Sequence, residues 1–253
     1  MDYEKYKTNS DFLYKFCPIN LYTYRNLINN ELWFSLPKTF NDPYDCRFNL
    51  QLDELTEDGV QAFYRDKNLT SGELNDRLLL FRQDKNAIVK EIEADYHDKI
   101  HNEFLVGCFS EKYDNKLMWA HYADGFKGMC LIFERKAHEA FFQGGKVNYS
   151  SEIPIVHYSG NGELEATPIF LTKDDIWKYE EEVRSVTKID GGRNPIKYNP
   201  KALKGVIFGY RINADDKHAI KEIVKRHPEY SEVKFYCAVP HNSNITLEIQ
   251  EEK

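Results

Sequence analysis

No C-x-x-C pair occurs in this sequence, and its five cysteines, Cys17, Cys46, Cys108, Cys130 and Cys237, are odd in number and widely spaced. That pattern excludes a disulfide framework and points to reduced thiols. The N-terminal residues lack a basic stretch followed by an apolar core, and nowhere do about 18 apolar residues run together. A cytoplasmic protein with no membrane partner is therefore expected. No Gly/Ser/Pro-rich linker, low-complexity tract or internal repeat divides the chain, which reads as one domain. Basic charge is also in deficit: 34 Lys and Arg against 41 Asp and Glu leave a formal charge of -7. A broad nucleic-acid footprint is disfavoured, although a local basic pocket stays open.

What is present is enough apolar and aromatic material for a sizeable core, 42% and 14% of 253 residues, so the chain folds without staples. Apolar strand patterns fall at 12–16, 31–36, 104–109, 128–134, 183–187, 203–208 and 233–239. Between them, Asn20 and Asn115 (or Asp114) are placed to cap helices, and 214–227 is amphipathic. Turns are expected at Gly160-Asn161-Gly162 and Gly191-Gly192. The stretch of about 52–103 is charged and Leu-rich, with apolar residues at helical steps such as Ile88, Ile92, Tyr96 and Ile100, and reads as a helical insertion. The expected class is α+β, with a mixed, mainly antiparallel sheet that is split or continuous, and flanking helices.

One segment does not fit ordinary scaffolding. Residues 107–128, GCFSEKYDNKLMWAHYADGFKG, crowd ionisable and aromatic groups between two glycines and two apolar strands. Polar groups at strand ends are where sites are commonly built. Within it His121 is a candidate acid or base, its neighbours Trp119, Tyr122 and Asp124 being able to hold the ring; the alternative is a structural histidine. Cys108 with His121 would suggest a thiol nucleophile, but a cysteine in an apolar strand is more simply a small buried residue.

Two further blocks carry chemistry. In 40–43, FNDP, Asn41 and Asp42 can bond nearby amides while Pro43 holds the corner rigid; both are candidate binding residues, and Asp45 and Arg47 follow closely. In 177–184, WKYEEEVR, an extended backbone would put Glu180, Glu182 and Arg184 on one face, with Trp177 as an anchor. Like charges on one face, or their burial, tune carboxylates for acid–base work. The alternative is a surface ladder neutralised by Arg184. His97 and His101, spaced i and i+4, have metal-ligand spacing, but no third donor completes a site, and no metal is expected.

With FNDP at 40–43, CFS at 108–110, LMWAHYAD at 117–124, GFKG at 125–128, WKYEEEVR at 177–184 and IFG at 207–209, the chain resembles, over nearly its whole length, the bacterial family DUF2971, a domain of unknown function. A second, looser similarity is to the ADP-ribosyltransferase fold, in which NAD lies in a cleft of a split mixed sheet. That resemblance implies NAD as substrate, Glu180-x-Glu182 as the acidic pair, Ser110 as the strand serine and Arg25 as the arginine. The serine–threonine–serine triplet of the arginine-specific branch is absent. On this reading Glu182 faces the oxocarbenium-like transition state and Glu180 orients or deprotonates the acceptor. Trp119 or Tyr122 stacks on a ring of NAD, while Arg25 or Lys127 meets the pyrophosphate.

Three functions follow as alternatives. The first is an NAD-consuming ADP-ribosyltransferase-like enzyme acting on a protein or nucleic-acid acceptor, in a toxin or phage-defence setting. The second is a module that binds a nucleotide-like small molecule without turnover. The third is a metal-dependent hydrolase or nuclease using Asp42, Asp45, Glu180 and Glu182.

Overall fold

The computed structural model describes residues 11–52, 55–65, 67–138, 144–158, 166–189 and 194–252. The turns expected at Gly160-Asn161-Gly162 and Gly191-Gly192 lie outside these residues. In chain order come β1 (Phe12–Cys17), α1 (Leu21–Asn29), β2 (Glu31–Leu32) and β3 (Asn49–Gln51), then the helices α2 (Glu57–Tyr64), α3 (Ser71–Gln83) and α4 (Lys85–Glu103). Next are β4 (Phe104–Ser110), α5 (Lys116–Tyr122), β5 (Met129–Glu134), β6 (Gly145–Lys146), β7 (Asn148–Tyr149), β8 (Ile155–His157), α6 (Thr167–Leu171) and β9 (Thr172–Lys173). The chain continues through β10 (Glu182–Lys188), β11 (Ile196–Lys197), β12 (Leu203–Gly209), α7 (Ala214–Arg226), β13 (Lys234–Pro240) and β14 (Leu247–Glu251).

These elements gather into two compact units. One comprises Met1–Ser35, Leu105–Val147 and Ile176–Lys253; the other comprises Leu36–Phe104 and Asn148–Asp175. The first unit is built on an eight-stranded sheet in the order β14-β13-β12-β5-β1-β4-β10-β6. β1 lies antiparallel to both β4 and β5, β5 antiparallel to β12, and β13 antiparallel to β14. The parallel step from β12 to β13 needs a crossover longer than a hairpin, which α7 supplies. The class is thus α+β with a mixed, mostly antiparallel sheet.

Alternation along β1 decides what each face of this sheet covers. Phe12, Tyr14 and Phe16 point to one side and pack with Cys130, Ile132, Ile207 and Tyr236 against Met118 and Trp119 of α5. On the other side Phe34, Phe109, Phe133 and Tyr198 meet edge to face. Tyr198 continues into hydrogen bonds with Tyr230, whose hydroxyl donates to the Leu27 carbonyl of α1. α1 starts where expected, with the Asn20 side chain accepting from the Thr23 amide, and ends on Asn30 at φ 55°. Its apolar positions are only half used: Leu27 is buried, whereas Leu21 and Ile28 face outward.

The second unit combines the helical block with the 148–175 return. Leu52, Val60, Phe63, Ile88, Ile92 and Tyr158 form its core. β3 pairs with β8 and β7 with β9, both in parallel. Thr70 and Glu73 cap α3 reciprocally, a device that satisfies two orphan amides at the helix start.

Candidate functional site

The segment 107–128 is positioned by its two bracketing glycines. A Cβ on Gly107 would stand 2.4 Å from the Phe34 ring, and one on Gly128 would stand 2.2 Å from the Cys17 carbonyl. Both are glycines because neighbouring groups occupy the space of a side chain. Between them β4 delivers the chain to Asn115, whose side chain accepts from the Leu117 amide and starts α5. The helix is followed by Asp124, Gly125 and Phe126, all left-handed at φ 46°, 58° and 69°. This turn lays the Phe126 ring parallel to Trp119 at 5.9 Å.

The segment 177–184 is stitched onto it. A 3-10 turn (Asp175–Glu180) precedes Glu181, a non-glycine residue at φ 42°, and only then does β10 begin. Ser110 Oγ donates to the Glu180 carbonyl at 2.7 Å, the Glu111 amide to the Glu181 carbonyl at 3.0 Å, and Asn115 Nδ2 to the Tyr179 carbonyl at 2.6 Å. Lys112 pairs with Glu181. The two conspicuous blocks of the first unit therefore form one structure.

The left-handed residue at 181 separates the two carboxylates. Glu182 stands on β10 and receives Arg184 Nε and Nη2 on its two oxygens, each at 3.0 Å. Both side chains are almost wholly buried, at 3% and 1% exposure. Glu180, equally buried, accepts a hydrogen bond from the Tyr122 hydroxyl. The expected ladder of Glu180, Glu182 and Arg184 on one extended face is thus corrected: Glu180 belongs to the turn, because the φ inversion at Glu181 breaks the strand's alternation. The alternative of an exposed ladder also fails, since the pair is buried and bidentate rather than solvated. Cys108 lies close by. Burial, reinforced by the negative charge of Glu182 and a hydrogen bond to it, holds this thiol well above its ordinary pKa, against the lowering influence of Arg184 and Lys15. A thiol so held remains protonated, the opposite of an activated nucleophile.

Trp119 requires a second correction. It has no exposed surface, its Nε1 donates to the Tyr113 carbonyl at 2.7 Å, and its ring meets Phe16 at 5.3 Å and 90°. Removing such a ring costs about 3–5 kcal/mol, which makes it a core residue with no face left for a ligand. The accessible rings lie elsewhere. Trp177 and Tyr179 are 6.0 Å apart, Tyr179 and His121 5.9 Å, and His121 and Tyr122 6.1 Å. His121 is exposed and its Nδ1 lies 3.0 Å from the Tyr179 hydroxyl. Tyr179 was not singled out in the sequence, though its place between Trp177 and Glu180 offered the signal.

The remaining candidates are peripheral or structural. Ser110 is buried, with its Oγ also accepting from the Lys112 amide at 3.1 Å; it shapes the loop. Arg25 reaches Glu31 at 3.8 Å and Lys127 reaches Asp124 at 3.8 Å, with both basic side chains largely exposed. Asn41 and Asp42 belong to the second unit. Asn41 is exposed, while Asp42 is buried and accepts from the Tyr44 amide at 2.8 Å through one oxygen. Its other oxygen is buried without a hydrogen-bond partner among the described residues. Asp45, also buried, lies 3.9 Å from Lys173. The FNDP block is accordingly a corner fastened by its own aspartate.

Among the described residues no group of three or more His, Cys, Asp and Glu side chains could hold a metal ion, and no helix is long and apolar enough to cross a membrane. His97 and His101 lie 6.0 Å apart with His97 stacked on Phe48. No protein-family model, curated protein or solved structure matches the chain.

Proposed function

We propose that the wall formed by Trp177, Tyr179, His121 and Tyr122, backed by Glu180 and Glu182, is the active site of an ADP-ribosyltransferase-like enzyme of the DUF2971 type that uses NAD. The observation that carries this reading is the pair of carboxylates set two residues apart with different partners, a guanidinium on Glu182 and a phenol on Glu180. Carboxylates given distinct environments take distinct roles. In the transfer, the bond between the ribose anomeric carbon and the nicotinamide nitrogen breaks, its electron pair leaving with nicotinamide, and a bond to a nucleophile of a protein or nucleic-acid acceptor forms. The developing oxocarbenium cation is stabilised by a carboxylate, the role assigned to Glu182, and this requires that substrate binding draw Glu182 away from Arg184, which takes both its oxygens. Glu180 takes or directs the acceptor's proton, with Tyr122 fixing its orientation. The aromatic row offers rings for stacking, replacing Trp119.

The burial of Glu180, Glu182 and Arg184 favours a second reading, in which the wall binds a nucleotide-like molecule without turnover and the acidic pair braces it. One experiment separates the two. Purified protein incubated with NAD releases nicotinamide under the first reading, and Glu182→Gln abolishes release while circular dichroism and tryptophan emission stay native. A thermal shift with NAD and no nicotinamide supports binding alone. Neither response removes both.

A further inference from the structure

The second unit contains a cleft of about 380 Å³ that owes nothing to the acidic pair. Arg47, Phe48, Lys90, Glu93, His97 and Ile153 contribute to its lining. Its charges are unbalanced. Arg47 and Lys90 are both exposed, and neither has an ion-pair partner among the described residues. Arg47 rests over the Tyr44 ring, at 5.6 Å. The one acid in the lining, Glu93, accepts from the Leu50 amide at 3.2 Å and keeps its charge, so two cations face one carboxylate. In a chain with a net charge of -7, a concavity with two cations against one carboxylate is a local inversion of sign, and such a concavity concentrates anions.

The rest of the lining narrows the class of anion. His97 is locked in orientation by stacking on Phe48 at 4.2 Å and 22°. Burial holds its pKa below the ordinary value, opposed by Glu93 and by a hydrogen bond to the Phe48 backbone, while Arg47 lowers it further. A planar guanidinium and an ammonium together provide donors for several oxygens of one group, which suits a phosphate better than a carboxylate. Ile153, exposed at the rim, adds an apolar edge for an organic substituent. We propose that this cleft binds the phosphate group of a small organic phosphate, with Arg47 and Lys90 as its charged contacts and His97 as a neighbour that senses the bound charge. The proposal is independent of whether the first unit turns over NAD.

Phenyl phosphate is the probe, with benzoate as its singly charged counterpart, titrated calorimetrically into the full chain at low ionic strength. The expected result is tighter binding of phenyl phosphate, weakened about three- to tenfold by Arg47→Gln and likewise by Lys90→Gln, the loss of one partly solvated charge-assisted contact each. Both substitutions alter exposed side chains, and unchanged circular dichroism verifies the fold. A second measurement needs no variant. The ring-proton resonance of His97, which also senses Arg47, Lys90, Glu93 and His101, should titrate at a higher pH when phenyl phosphate is bound, because a nearby anion favours the imidazolium. No binding at millimolar concentration, equal binding of benzoate, or variants that bind like the parent would overturn the proposal.

Discussion

Arg184→Met tests the buried pair most directly. With Glu182 and Arg184 exposed by only 3% and 1%, removing the guanidinium leaves a carboxylate with its main counter-charge gone and no bulk water to replace it. Breaking one side of such a pair costs about 3–5 kcal/mol, a large part of the roughly 5–15 kcal/mol that holds a typical domain together. Replacing both partners, Glu182→Leu with Arg184→Met, removes the stranded charge, and that double variant should recover to within about 2 kcal/mol of the parent. Urea unfolding followed by tryptophan emission is the assay. Trp33, Trp119 and Trp177 all lie in the unit that contains the pair, so the signal reports on that unit. The pH dependence gives an independent sign. In Arg184→Met the folded state binds a proton at Glu182 more tightly than the unfolded chain does, so stability rises as pH falls toward the unfolded carboxyl value of about 4.3. The deficit should be smaller at pH 5 than at pH 8. A deficit below about 1 kcal/mol at both pH values, or a double variant weaker than the single one, would refute a mutually dependent buried pair.

Two further outcomes follow from packing within the same unit. Gly107→Ala places a methyl 2.4 Å from the Phe34 ring, and since that ring is itself packed on Phe109, the variant should lose about 1–3 kcal/mol in the same urea assay; a neutral effect would show that Phe34 moves freely. Burial raises the Cys17 thiol from 9.0 to about 11, so at pH 8 its thiolate fraction is about a hundredfold below that of an ordinary cysteine, and Cys108 and Cys130 are also raised well above theirs. Thiol-disulfide dye should therefore react slowly with these cysteines in the native protein and fast in urea; a rapidly labelled Cys17 or Cys108, both half-buried, located by mass spectrometry, would contradict the raised pKa.

Local sequence by itself determined the elements whose cause is local. Asn20 and Asn115 cap the helices they precede because a short side-chain oxygen reaches an amide two or three residues on. The apolar runs at 12–16, 128–134, 203–208 and 233–239 became β1, β5, β12 and β13, the middle of the sheet. Runs that depend on a partner were less legible. Of the strand expected at 31–36 only Glu31–Leu32 pairs, with a single further bridge at Ser35, and β14 was not expected because LEIQE, though it alternates, has only two apolar residues, Leu247 and Ile249. The FNDP turn was visible as a turn, since Asp42 fastens its own neighbour.

Tertiary structure alone decided the chemistry of 107–128. An aromatic residue in a short polar helix reads the same whether it lines a cleft or fills a core, and only the packing of β1 beneath α5 assigns Trp119 to the core. Likewise, the spacing of Glu180, Glu182 and Arg184 assumes an unbroken strand. The left-handed backbone at Glu181 follows from contacts far away in sequence, namely those of Ser110, Glu111, Lys112 and Asn115. These contacts turn Glu180 toward Tyr122 and leave Glu182 to Arg184. Charge type and helix or strand period are written in neighbouring residues; how the backbone turns at Glu181, and so which partner each acid meets, depends on contacts such as Ser110 to Glu180, 70 positions apart.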